Sequence, residues 1–284
     1  MFAPGLLQGR SILVTGGGTG LGKAMGRRFM ELGADLMICG RRETVLAATA
    51  QEFEAAFGRP VRIQRVDIRH PQAVEEMMDA AFHDAPLDIL VNNAAANFVA
   101  RTETLSSRAV DAVLNITLHG SIYCTLAAGK RWIAAKHAGV VLSILTGAAF
   151  HGSPFAVPSA MAKAGLLAMT RSLAVEWGPK GIRCVAISPG NFPTAGATAR
   201  LVPGDVPPEA HGTNNPLGRP GRHEELGDLA AFLVSDHAQY VNGEAVIIDG
   251  GRWLKGAGTF SALERLSDEQ WAAMRERGRD GRDG

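Results

Sequence analysis

Short apolar runs and amphipathic stretches alternate along almost the whole chain. The apolar runs are Ser11–Val14, Asp35–Cys39, Val61–Val66, Ile89–Val91, Val140–Leu145, Arg183–Ile187 and Ala245–Ile248. Several are continuous rather than alternating, the pattern of parallel strands covered on both faces. Between them, apolar positions recur at helical spacing over Leu21–Leu32, Glu43–Phe57, Gln72–Phe82, Ser107–Ala135, Ala156–Trp177 and Glu224–Val234. Pro71 stands where a helix would begin, and Gly33, Gly58 and Gly178 where helices would stop. This alternation predicts an α/β protein of three layers, a doubly wound sheet of seven parallel strands in a single domain.

Two stretches leave the rhythm. Residues 190–222 are rich in Pro, Gly, Thr and Asn and carry little periodicity. They follow a strand and so lie at the carboxyl edge of the sheet, where ligands bind, which makes them a candidate substrate lid or else a surface loop. The second stretch is the tail, residues 252–284. There Ser267-Asp268-Glu269-Gln270 reads as a capping box, and Trp271 and Met274 follow at helical spacing. A short terminal helix is expected, packed on a neighbouring subunit or closing the core, with Gly278–Gly284 frayed. The domain proper spans 10–251, behind an extension of residues 1–9.

Composition narrows the function classes. A net charge of +1 over 284 residues gives no electrostatic case for nucleic acid. Hydrophobic residues, at 46%, suffice for a large core. No apolar run reaches the roughly 18 residues of a membrane span. Cys39, Cys124 and Cys184 are far apart and lie in apolar stretches. They read as buried free thiols in a reducing compartment, and no metal site is expected. Met1–Arg10 is too short and polar for a signal peptide, and Gly281–Gly284 is not a peroxisomal address, so a cytoplasmic protein is expected.

Candidate chemistry sits at the ends of the apolar runs. Thr15-Gly16-Gly17-Gly18-Thr19-Gly20-Leu21-Gly22 follows the first run and opens a helix. Glycines permit positive φ and close approach, and the helix start presents free N–H groups to a pyrophosphate. By itself such a loop is weak evidence for a nucleotide, because glycines also make ordinary turns. Gly40-Arg41-Arg42 follows the second run, where basic residues favour the 2′-phosphate of NADP over the ribose hydroxyls of NAD, or form a solvated pair at a helix start. Asp67 and Ile68 close the third run where an adenine would lie, and Asp67 is equally suited to cap the next turn. Asn92-Asn93-Ala94-Ala95 closes the fourth, combining amides that tie strand ends with alanines small enough to let a dinucleotide pass. Pro189, Gly190 and Thr194 follow the sixth, where a nicotinamide amide would meet backbone groups.

In this order, these motifs together with Lys163 and Asp249-Gly250-Gly251 resemble the short-chain dehydrogenase/reductase family over residues 10–251. The resemblance implies a Rossmann domain, a nicotinamide cofactor and usually a homotetramer built on the helices at Ser107–Ala135 and Ala156–Trp177. One position departs. The family's acid is a tyrosine four residues before its lysine, and here Ser159 stands there. Thr146 stands for the partner serine. The family's central asparagine falls at about Thr117, with Asn115 close by. A lone serine hydroxyl is a far weaker acid than a phenol, which puts ordinary ketone–alcohol chemistry in question.

One branch lacks that tyrosine: the NADPH-dependent 2,4-dienoyl-CoA reductases, whose mitochondrial type the chain resembles almost end to end. The carrying residues are Asn92–Phe98, Val157–Gly165, Leu173–Gly178 and Ser267–Trp271. The resemblance implies an acyl-CoA substrate reduced with NADP(H) in fatty-acid β-oxidation. It implies that Asn97 donates to the thioester oxygen, Phe98 contacts substrate, and Ser159 and Lys163 hold the nicotinamide ribose. In the bland reading, Asn97 bonds its own backbone. The branch's second oxyanion donor, a tyrosine, falls on Ala148, leaving Thr146 or His151 as substitutes. Arg200, Arg219, Arg222 and Arg252 are candidates for the CoA phosphates. The alternatives are another ketone or alcohol oxidoreductase of the family, or an NADP-binding protein without catalysis.

Overall fold

The computed structural model describes residues 2–194, 196, 213–257 and 261–280. Seven strands, β1 (Ser11–Thr15), β2 (Asp35–Gly40), β3 (Arg62–Arg65), β4 (Ile89–Asn92), β5 (Gly139–Ile144), β6 (Ile182–Pro189) and β7 (Ala245–Ile248), form one sheet in the order β3-β2-β1-β4-β5-β6-β7. Every pairing is parallel. The chain therefore reverses its winding between β1 and β4, and a crevice opens at their carboxyl ends.

Both faces of the sheet are covered, which is why the strands read as continuous apolar runs. Ile12 and Val14 point into one core, with Met25, Phe29 and Met30 of α1 (Gly20–Glu31), Leu46 and Phe53 of α2 (Glu43–Phe57), and Leu226 and Ala230 of α8 (His223–Val234). Leu13 points the other way, to Val74, Met77 and Met78 of α3 (Pro71–Ala81), Cys124 and Trp132 of α5 (Gly120–Ala135), and Trp177 of α7 (Val157–Trp177). All three cysteines are buried and free. Leu7, ahead of β1, is fully buried, and its N–H bonds to Leu32 O at 2.8 Å.

The helix expected over Ser107–Ala135 is divided. α4 (Ser107–Leu114) runs into a π-helical turn at Asn115–His119 before α5 begins. Such turns cluster at functional sites, and this one faces the crevice. The third strand is shorter than its apolar run, because Val61 and Val66 fall outside the paired register. Two short helices, α6 (Ala148–His151) and α9 (Arg252–Ala257), lie beyond β5 and β7, and α10 (Asp268–Asp280) ends the described chain. Its capping box forms as expected: Ser267 N donates to Gln270 Oε1 at 2.9 Å and Gln270 N donates back to Ser267 Oγ at 3.3 Å. The helix continues past Gly278; residues 281–284, where the expected fraying ends, lie outside the described residues.

No described helix is long and apolar enough to cross a membrane. Trp132 anchors the second core: it is fully buried and its indole N–H donates to Leu87 O. A Cβ on Gly139 would lie 2.5 Å from that indole, so the glycine is what lets β5 pass it. Trp132→Ala is expected to cost about 3–5 kcal/mol, the range for emptying a buried aromatic site, read as a fall in the denaturant midpoint. A loss under about 1 kcal/mol would show that this core closes around the gap.

Candidate active site

The crevice is laced by two side chains. Thr15 Oγ1 accepts from the backbone N–H of Asn93 and of Ala94, both at 3.0 Å, and donates to Val91 O at 3.2 Å. Asn93 Nδ2 donates in return to Thr15 O at 2.8 Å. The carboxyl ends of β1 and β4 are thus held at one spacing, and the cavity beside them measures 810 Å³. Gly16, Gly18, Thr19, Gly20 and Leu21 line it. Gly22 does not, and its role is closer packing: a Cβ there would sit 2.5 Å from Asn93 Nδ2 and 2.6 Å from Gly16 O.

Thr19 caps α1 only through its backbone, and no acidic residue sits in the first turn. The N–H groups of that turn are left to an anion from outside, with the helix dipole behind them. Along the same wall lie Arg41, Arg42, Asp67 and Ile68. Both arginines are exposed, and among the described residues neither forms an ion pair. Asp67 is ionised, its pKa held down first by hydrogen bonds from Arg69. It also accepts from Arg69 N at 3.1 Å, so its two expected roles, facing the cleft and capping a turn, coexist.

The far end is built from β6 and β7. Gly190 N donates to Ile248 O at 2.9 Å, and a Cβ on Gly190 would meet Asp249 Cβ at 2.6 Å. Pro189 ends β6, and Thr194 reaches the cleft. Most of the expected lid, residues 195 and 197–212, lies outside the described residues, as does Arg200. Arg219 and Arg222 both turn to Glu225, whose pKa Arg219 and the backbone of Arg222 pull down to about 2. Arg252 is exposed.

Lys163 is 5% exposed, and its Nζ donates to Ile144 O at the end of β5. Burial pushes its pKa down to about 8. Ser159 lies one helical turn earlier on the same face of α7 and is also buried, with no hydrogen bond to its hydroxyl among the described residues. Thr146 is two residues past the carbonyl that Lys163 holds. These three residues and Phe98 stand outside the lining of the 810 Å³ cavity, whereas Asn97 lines it.

Asn97 Oδ1 is buried without a hydrogen-bond partner. Its loop is clamped by Thr117, whose Oγ1 accepts from Ala96 N at 3.1 Å and donates to Ala96 O at 3.4 Å. Asn115 points elsewhere, with Oδ1 2.8 Å from His119 Nδ1. Of the two positions considered for the family's asparagine, the π-helical turn therefore delivers Thr117. His151 is exposed and meets Trp253 edge-on at 5.5 Å, with Phe150 on the same indole at 4.5 Å. Neither tyrosine lines the cavity; Tyr240 is fully exposed and Tyr123 lies beside His119. Sequence reasoning missed Cys39, Ile116 and Ala96 as lining residues, and Arg69 as the partner of Asp67. The +2 spacing of opposite charges in Asp67-Ile68-Arg69 was the available signal for the last.

The profile of the family described as Enoyl-(Acyl carrier protein) reductase matches residues 16–252. A Caenorhabditis elegans relative named probable 2,4-dienoyl-CoA reductase 3, (3E)-enoyl-CoA-producing, is 41% identical over 98% of this chain and 93% of its own. A Bacillus subtilis relative named probable 2,4-dienoyl-CoA reductase, (2E)-enoyl-CoA-producing, is 40% identical over 87% of this chain and 98% of its own. Among solved structures, a short chain dehydrogenase from Bacillus anthracis superposes with TM-score 0.76 at 38% identity, covering 86% of this chain and 96% of that one. A structure from Agrobacterium tumefaciens with bound NADP superposes with TM-score 0.80 at 32% identity, covering 89% of this chain and 100% of that one. The chain belongs to the short-chain dehydrogenase/reductase family. It is an NADP-dependent oxidoreductase.

The site fits that cofactor: the side-chain-free helix start suits its pyrophosphate, and the unpaired arginines suit its 2′-phosphate. Lys163 has a measurable signature. Its folded pKa, about 8, lies below the 10.5 of an ordinary lysine, so between these pH values the folded protein holds fewer protons than the unfolded one. Stability from this group rises with pH across that window. Lys163→Met is expected to remove the rise, seen as a wild-type-minus-variant difference in Tm that increases from pH 8 towards pH 10. Parallel Tm profiles would assign the titration to another group.

Proposed function

We propose that this protein reduces 2,4-dienoyl-CoA thioesters with NADPH in fatty-acid β-oxidation. The observation that carries the reading is the half-buried amide side chain of Asn97, which lines the cofactor cleft where no tyrosine does. Reduction of a conjugated thioester needs a preorganised donor at the oxygen where negative charge collects, and an amide supplies one without titrating. The relatives named for this activity support the same substrate class.

The cleft residues would hold NADPH, which when bound would supply the hydride for the end of the conjugated chain remote from the thioester. Asn97 donates to the thioester oxygen as charge arrives there, and Thr117 keeps its loop in place through both backbone groups of Ala96. Ser159 and Lys163 hold the nicotinamide ribose, and the Lys163 charge adds to the stabilisation of the oxyanion. Arg41 and Arg42 hold the 2′-phosphate. The glycine loop and Thr194 fix the ends of the dinucleotide. Protonation on carbon comes from water. Among the named relatives the products differ, (3E)-enoyl in one and (2E)-enoyl in another. The position of that proton is therefore a second readout.

The test is NADPH consumption with 2,4-hexadienoyl-CoA, against crotonyl-CoA and acetoacetyl-CoA, with the product double bond located by NMR. Dienoyl turnover is expected. Asn97→Ala should lower kcat by about two to three orders of magnitude, the cost of losing one oxyanion donor, with NADPH affinity unchanged. Turnover of acetoacetyl-CoA alone would replace this reading with ketone reduction. Tight NADPH binding without turnover of any of the three would replace it with a binding role.

The assembly we propose is a homotetramer resting on α5 and α7, in a reducing, cytoplasmic setting that suits three buried free thiols. Its support is the outer face of these helices, where Val175 is 79%, Met161 52% and Leu126 41% exposed. Apolar residues on both faces of a long helix call for a partner. Val175→Glu is expected to shift the sedimenting species to a smaller one; an unchanged profile would move the interface elsewhere.

A further inference from the structure

Arg69 is a charged side chain beside the cofactor end to which the NADP reading gives no task. The parallel register pairs Gly40 with Arg65, and Val66 N donates to Gly40 O at 2.9 Å. Arg41 and Asp67 therefore leave neighbouring strand ends into the same space, and both line the cleft. A bare carboxylate at that place opposes the binding of a phosphate: it cancels part of the arginine charge and repels the anion directly.

The structure shows how this is avoided. Arg69 grips Asp67 in fork geometry, Nε to Oδ1 at 2.9 Å and Nη2 to Oδ2 at 2.5 Å. The Arg69 backbone N–H adds a third bond, at 3.1 Å to Oδ1. The side chain of Asp67 is 21% exposed and that of Arg69 38%, so solvent screens the pair only in part. Hydrogen bonds from Arg69 are the first cause of the low Asp67 pKa and the charge of Arg41 the last, so with the pair neutral most of the charge of Arg41 and Arg42 remains available to a dianion. Arg69 itself does not line the cleft.

We propose that Arg69 is a positioning residue that sets the preference for the 2′-phosphorylated dinucleotide by neutralising Asp67. The inference rests on the NADP reading of Arg41 and Arg42. The fork also holds the carboxylate in one rotamer beside the adenine slot, where a lysine would supply charge without the fork.

The experiment is fluorescence titration of the purified protein with NADPH and with NADH, at low and high ionic strength, needing no turnover. Arg69→Gln is expected to weaken NADPH by roughly three- to tenfold, the scale of one partly screened charge, and to leave NADH within about twofold. The loss should shrink at high salt, which a purely structural defect would not do. Arg69→Lys should restore most of the preference. Asp67→Asn combined with Arg69→Gln should bring it back, because the charge that Arg69 masked is then gone. Equal weakening of both dinucleotides by Arg69→Gln would overturn the proposal. So would a selective loss that persists in the Asp67→Asn background, since Arg69 would then touch the phosphate itself. If Arg69→Gln does not fold, Asp67→Asn alone decides: a preference for NADPH that rises or holds supports the proposal, and one that falls overturns it. Arg41→Ala/Arg42→Ala is the control for the underlying reading; equal loss of NADPH and NADH there would remove the 2′-phosphate assignment, and the role of Arg69 with it.

Discussion

The site depends on the spacing between the carboxyl ends of β1 and β4. Parallel strands stop pairing there, and without a tie their ends would splay with the twist of the sheet. Thr15 and Asn93 supply the tie with four hydrogen bonds, between 2.8 and 3.2 Å. Three consequences follow from the same lacing. The glycine loop starts at a set height, α1 begins with its N–H groups aimed into the cleft, and the chain after β4 departs toward Asn97. Gly22 belongs to this arrangement, because any side chain there would strike the amide that makes the tie.

The catalytic side shows how a reductase site is built without a phenol. The usual acid is absent at Ser159, and Ala148 supplies no second donor. What remains is an amide and a buried lysine. The loop that carries Asn97 is held by Thr117 through the backbone of Ala96, so a π-helical turn in a long helix becomes a positioning device. The lysine is anchored on a strand-end carbonyl and loses basicity through burial. In the proposed mechanism neither group gives up a proton, which suits a substrate whose developing charge only has to be met.

The cofactor end separates its charges by geometry. Acid and base stand at neighbouring strand ends, and Asp67 is held first by hydrogen bonds from Arg69 and last by the charge of Arg41, while neither Arg41 nor Arg42 forms an ion pair among the described residues. The residues around Glu225 show the opposite outcome. Arg219 and Arg222 are consumed by a helix-capping carboxylate, which makes them poor candidates for binding a further anion.

The order of strands and helices, the crevice at the switch point and the glycine loop could all be read from the chain. Each depends on local periodicity or on a residue type whose backbone freedom is intrinsic. The helix over Glu43–Phe57 and the capping box at Ser267 were legible for the same reason. The tertiary structure decided the rest. That Thr117 clamps Asn97's loop while Asn115 does not depends on one extra residue in a helical turn, a long-range packing outcome with no periodic signature. That His151 packs against Trp253 depends on two segments a hundred residues apart meeting over the sheet. The depressed basicity of Lys163 comes from burial, which exists only once β5 and α7 have packed. Sequence determines which groups are present and which local shapes they prefer; the solvent, charge and neighbours each group meets are set by contacts between residues far apart in the chain.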